Sequence, residues 1–173
     1  LACTLLAHAQ DQRRLQFTIA GTANDTIYLA NYYGNKLYYA DTTVANAKGI
    51  AVFERKDGYK AGVYALVVPG PKYFEFIVNE PVVEMNSDTA ALNEHLGVQQ
   101  SVENQLFQAY IRYLADKKKE ADDIKLRMEA TADPIAKGVL RERMKDLDSL
   151  MKGFQTDLAA KHPNTLVARI LRM

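Results

Sequence analysis

The sequence is poor in the residues that most often carry chemistry. It has one cysteine, Cys3, in 173 residues, so it contains no Cys-x-x-Cys pair and cannot exchange a disulfide by itself. Three histidines, His8, His95 and His162, are scattered with no i, i+4 partner and no cysteine neighbour. That spacing builds no zinc set, and His95 and His162 read as surface or capping residues. No glycine-rich phosphate loop of the G-x-G-x-x-G or G-x-x-x-x-G-K-[ST] kind is present, which removes the commonest nucleotide sites. Ser87, Ser101 and Ser149 lack the strand–turn–helix context of an activated nucleophile. Twenty-two Lys and Arg face 21 Asp and Glu, a net charge of +1. That balance gives no electrostatic reason to seek nucleic acid or an anionic membrane. After the opening stretch no apolar run approaches the ~18 residues of a membrane helix, so no membrane insertion is expected. No catalytic residue, metal ligand or cofactor site is expected.

The lone cysteine lies in the opening run LACTLLAHAQ. An apolar segment ending in Ala7-His8-Ala9 fits the small-x-small pattern of a signal-peptidase site, with cleavage after Ala9 and Gln10 as the first mature residue. Residues 1–9 then read as the remnant of a signal peptide, and the mature chain as exported. Two alternatives stand beside this: a lipoprotein signal with Cys3 as the acylated residue, and an ordered strand burying a free thiol. The apolar run continuing past Cys3 argues against a lipid anchor.

Two periodicities divide the rest of the chain. Between about residues 15 and 88 short alternating runs break at turn residues, as strands do. LQFTIAG sets Leu15, Phe17 and Ile19 on one face, and DTIYLANYYG sets Ile27 and Leu29 against Tyr28. KLYYADTTVAN and KGIAVFERKDG continue the pattern; Gly34-Asn35 supplies a turn, and Asp57-Gly58 is a hairpin signal because Asp-Gly readily takes positive φ. AGVYALVVPGP is the most apolar run and is expected to be central, ended by Pro69-Gly70-Pro71. KYFEFIVNE and PVVEMNSD complete the set, with Glu75, Glu80 and Glu84 fitting the polar face of edge strands. From about residue 89 the spacing becomes helical: Leu106, Phe107, Tyr110, Ile111, Leu114, Ala121, Ile124 and Met128 form one stripe, with Ser101 as its N-cap. Asp133-Pro134 starts a second long helix running to about Leu158, and a third begins after Pro163. The expected fold is α+β: an antiparallel β-sandwich or partly open barrel of about seven strands over 10–90. A helical hairpin and a short C-terminal helix over 91–173 would pack on the β domain or bridge from it.

What the sequence has in quantity is tyrosine, ten residues with no tryptophan. Tyr28, Tyr32, Tyr33, Tyr38 and Tyr39 fall within twelve residues on one expected hairpin. Such rings bury large area at low entropic cost and could stack on sugars or grip a partner chain. They could equally be strand formers packing across the sheet. These five are the candidate ligand or partner surface.

The series TIYLANYYGNKLYYADTTVANAKGIAVFERKDG, AGVYALVVPGPKYFEFIVNE, VVEMNSDT and SVENQLFQAYIRYL resembles the N-terminal region of secreted, thioredoxin-like or peroxiredoxin-like thiol–disulfide oxidoreductases of Gram-negative bacteria. In that family a β-rich domain and helices precede a thioredoxin-fold domain carrying Cys-x-x-Cys, and HPNTLVARILRM resembles the bridge between them. No active residue can be carried over here. The resemblance implies a periplasmic, non-catalytic accessory module that positions, dimerises or supplies substrate to a thioredoxin-fold domain, in cis beyond Met173 or in trans. A homodimer is compatible with that role. The alternative is a free-standing glycan- or peptide-binding module that uses the tyrosine hairpin.

Overall fold

In the first strand every second side chain is large and apolar, and Leu15, Phe17 and Ile19 are fully buried while Arg14, Gln16 and Thr18 are not. That period of two requires a sheet with one face on a core. The structure, a computed structural model, describes residues 13–34 and 36–173. The expected signal remnant at 1–9, with Cys3 and His8, lies outside the described residues, as does Asn35 of the first turn.

The chain falls into two compact units, divided between Asn104 and Gln105. Among the described residues the first holds eight strands: β1 Arg14–Ala20, β2 Thr26–Tyr33, β3 Lys36–Val44, β4 Ile50–Phe53, β5 Gly62–Val68, β6 Lys72–Val78, β7 Val82–Asp88 and β8 Gly97–Gln100. They form two four-stranded sheets, in the orders β4-β1-β7-β8 and β3-β2-β5-β6. Their facing sides interdigitate in one core, where Leu15, Phe17, Ile19 and Met85 from one sheet meet Leu29, Leu66, Phe74 and Phe76 from the other. Phe17 lies edge-on to Phe53, Phe74 and Phe76, at centroid distances of 6.1, 6.0 and 4.9 Å, the offset that ring quadrupoles favour. The fold is α+β with an open sandwich, not a closed barrel. As expected, β5 is an inner strand, and five of its seven residues are buried.

Three local expectations fail for long-range reasons. An eighth strand, β8, lies in the stretch read as helical: four residues are too few to show a period, and only pairing with β7 makes them a strand. The sheet is not wholly antiparallel, because β1 runs parallel to β7 in register Arg14↔Val82 through Ala20↔Asp88. Asp57-Gly58 does turn, with Gly58 at φ 64°. Yet it joins β4 to β5 in different sheets and closes no hairpin. Gly49, at φ 73°, is required where the chain enters β4: a Cβ there would stand 2.3 Å from the Ile19 carbonyl oxygen.

The helices are α1 Val102–Ala130, α2 Pro134–Lys161 and α3 Leu166–Leu171. The first turn of α1 belongs to the β unit, and its cap is built from two places. Ser101 Oγ accepts from the Asn104 N–H at 3.0 Å, as expected. Glu80, read as a strand-face residue, instead accepts the Val102 and Glu103 N–H groups at 3.0 and 3.2 Å. A carboxylate there meets unpaired donors and the positive end of the helix dipole. Glu84 is likewise not on an edge; its strand β7 is interior, and it accepts from Gln16 Nε2 at 2.6 Å.

Within the helical unit α1 and α2 form the expected antiparallel hairpin, burying Ile124, Leu140 and Leu147 with Ala121, Met128 and Met144 against them. Tyr113 stacks on Phe154 at 4.0 Å, and Arg143 pairs with Glu120. Asp133 caps α2 by accepting the Ile135 N–H at 2.9 Å, with Pro134 at the first helical position. Thr165 caps α3 through Ala168. No helix among the described residues is long and apolar enough to cross a membrane.

Candidate functional site: a tyrosine-bearing sheet face

The five candidate tyrosines do lie on one hairpin, β2–β3, paired from Tyr33↔Lys36 through Thr26↔Val44. Gly34 takes φ 63°, the positive value a tight two-residue connection needs. The hairpin does not present them together. Strand alternation puts Ile27 and Leu29 on the core and turns Tyr28, Ala30 and Tyr32 outward. A β-bulge in β3, where the register moves from Leu29↔Asp41 to Ala30↔Tyr39, keeps Tyr39 on that same outward face. Tyr33 and Tyr38 fall on the opposite side at the hairpin tip, edge-to-face at 6.5 Å.

Tyr28, Tyr32 and Tyr39 therefore share the outer face of the second sheet. The register adds Val67 and Tyr73 beside Tyr28, and Ala65 and Glu75 beside Ala30. Tyr28 packs against Ala30, Ala65 and Val67, and its ring meets that of Tyr39 at 4.8 Å. Small side chains at Ala30 and Ala65 matter: with only a Cβ there, rings on flanking positions can lean across the sheet. Tyr32 does so, and its phenol donates to Glu75 two strands away. That hydrogen bond, with partial burial, pushes the Tyr32 phenol up to about 12. It stays a protonated donor across the physiological range. Tyr39 is 67% exposed and Tyr73 48%, so the face offers aromatic area to solvent.

Not every tyrosine is available. Tyr59 and Tyr64 are buried, and their phenols donate to Asp41 at 2.6 Å and to the Lys60 carbonyl at 3.0 Å. Burial, and for Tyr59 the Asp41 carboxylate, push both phenols up. They are core residues that the composition alone could not separate from the exposed ones. Tyr73 and Glu75, by contrast, belong to the face though no local signal tied them to the hairpin; only pairing of β6 beside β5 brings them there.

No protein-family model matches the chain, and no curated protein shows significant similarity to it. The site therefore stands on its own geometry. His95 is an exposed partner of Asp88, at 2.5 Å, and His162 is the C-cap of α2. Asp88 also accepts the Ala91 N–H, and that bond, with His95, holds its carboxyl below the usual range. Among the described residues no three His, Cys, Asp or Glu side chains come together as metal ligands would. What the face can do chemically is bind: apolar ring area, phenols at Tyr28, Tyr39 and Tyr73, and the Glu75 carboxylate that already holds the Tyr32 phenol.

Proposed function

We propose that this chain is a docking module, a non-catalytic accessory part of an exported thiol–disulfide system that holds a thioredoxin-fold domain or its protein substrate. The observation that carries the docking role is the exposed ring surface of Tyr32, Tyr39 and Tyr73, with the half-buried Tyr28 among them, on one sheet face. Rigid aromatic anchors dominate protein interfaces because they exclude water over a large area and lose little rotamer entropy. The redox context comes from the sequence resemblance and not from the geometry.

The test is association with a Cys-x-x-Cys thioredoxin-fold domain encoded in the same reading frame or beside it. Tyr39→Ala and Tyr73→Ala are surface truncations, expected to leave the fold intact and to weaken binding about tenfold each, the size of an interface anchor. Equal affinity of parent and both variants would refute the reading. A glycan- or peptide-binding role is the second reading. Tyr33, 82% exposed, and Tyr38 at the hairpin tip favour it, because they form a separate stacking platform. Binding on a glycan array that Tyr38→Ala abolishes and Tyr73→Ala leaves unchanged would select it.

A further inference from the structure

Among the described residues the two sheets end in four edge strands, β4, β8, β6 and β3, and three of these are short or partly covered. β4 and β8 have only four residues each. β6 is partly covered: the Asn104 amide accepts the Ile77 N–H at 2.7 Å and donates to the Ile77 carbonyl at 2.8 Å, the pair of bonds another strand would make, and Asn93 Nδ2 donates to the Tyr73 carbonyl at 3.3 Å. β3 is nine residues long, largely exposed, and no described strand pairs with its outer side. Long uncovered edges are templates for strand addition, which is why folded proteins normally shorten or cover them.

Register shows which backbone groups are offered. Ile77 directs its N–H and C=O away from β5, so alternation across the sheet makes Ala30 bond to β5 and Asn31 to β3. Tyr38, opposite Asn31, then bonds inward, and Leu37 and Tyr39 turn their N–H and C=O groups outward. The two-residue connection between Tyr33 and Lys36 gives the same parity. Beyond Ala40 the Asp41 side chain accepts from the Tyr59 phenol.

At that end lies a basic cavity of about 430 Å³ lined by Arg13, Arg14, Glu54, Arg55 and Lys56, four cations to one carboxylate. The same Tyr59 connects it to the edge: Arg13 donates to the Tyr59 carbonyl, and the Arg55 guanidinium sits 5.7 Å from the Tyr59 ring centre. Arg14 is paired with Glu54 at 2.8 Å. Arg55 and Lys56 make no ion pair among the described residues. We infer that the β3 edge from Lys36 to Tyr39 accepts an extended acidic segment of a protein partner as an added antiparallel strand, its acidic end entering this cavity. A second copy of the chain is disfavoured as occupant, because its own edge would bring Lys36 and the same cations. The inference rests on the docking reading and names the chemistry of the docked segment.

The probe is the capped peptide EEETVTVT, whose acidic N-terminal end reaches the cavity when it runs antiparallel to β3. Binding is expected to perturb the Leu37 and Tyr39 amides and slow their exchange. It should weaken about tenfold or more for KKKTVTVT, for the double variant Arg55→Glu and Lys56→Glu, and for EEETVTVT N-methylated at both valines. Equal binding of the methylated peptide would overturn strand addition, and equal binding by the double variant would overturn acidic recognition. Failure of EEETVTVT to bind at all would overturn the inference, while the Tyr39→Ala and Tyr73→Ala experiment still decides whether the face docks a partner.

Discussion

Asn104 offers a sharp test of how the β unit is finished. It is fully buried, and its amide satisfies the Ile77 N–H and C=O while also donating to Ser101 Oγ at 2.8 Å. Asn104→Leu keeps roughly the same shape and removes all three bonds. Ile77 is itself fully buried, so its two backbone groups lose their partners where water cannot replace them. An orphaned buried group costs about 1–3 kcal/mol, so the pair costs about 2–6 kcal/mol, a large share of the ~5–15 kcal/mol that holds a typical domain together. Ser101→Ala, which removes the cap and the hydroxyl's bonds with Glu80 and the Asn104 amide but leaves both Ile77 bonds in place, should cost less, about 1–2 kcal/mol. Urea denaturation followed by circular dichroism would rank the two. Native-state hydrogen exchange would place the effect: the Ile77 amide should exchange at least about 30-fold faster in Asn104→Leu, since ~1.4 kcal/mol is tenfold. A loss under about 1 kcal/mol, or unchanged Ile77 protection, would refute the view that this amide stands in for a missing strand.

Two further outcomes are expected from the described contacts. Leu147 is fully buried in the helical hairpin while Leu150, one turn on, is 46% exposed. Leu147→Ala should therefore lower stability by about 2–5 kcal/mol and Leu150→Ala by under about 0.5 kcal/mol, as read from thermal unfolding. For Tyr32 the folded pKa is raised from 10.0 to about 12, so its contribution to stability is complete below pH 10 and is lost as pH rises toward 12. Phenolate absorbance should show a step near pH 12 that Tyr32→Phe deletes and Glu75→Gln moves back toward 10; a step that ignores both changes would contradict the Tyr32–Glu75 bond.

Features that depend on neighbours along the chain were legible before any fold was known. Alternation at Leu15, Phe17 and Ile19 assigned a core face, helical spacing at Ile124 and Met128 assigned a buried stripe, and Asp133-Pro134 marked a helix start, because propensity, period and capping act within a few residues. The β2–β3 hairpin, and with it the tyrosine cluster, was legible for the same reason. Pairing between distant segments set everything else. The parallel partnership of β1 with β7, the four-residue β8, the assignment of Glu80 as a helix cap and the division of the tyrosines into buried, outward and hairpin-tip groups all depend on register. A single bulge at Ala40, invisible to periodicity, decides on which face Tyr39 lies. The edge left bare at β3, beside a cavity whose cations come from the start of β1 and the end of β4, which antiparallel pairing sets side by side, exists only once the sheets are assembled, because an edge is defined by the strand that is not there.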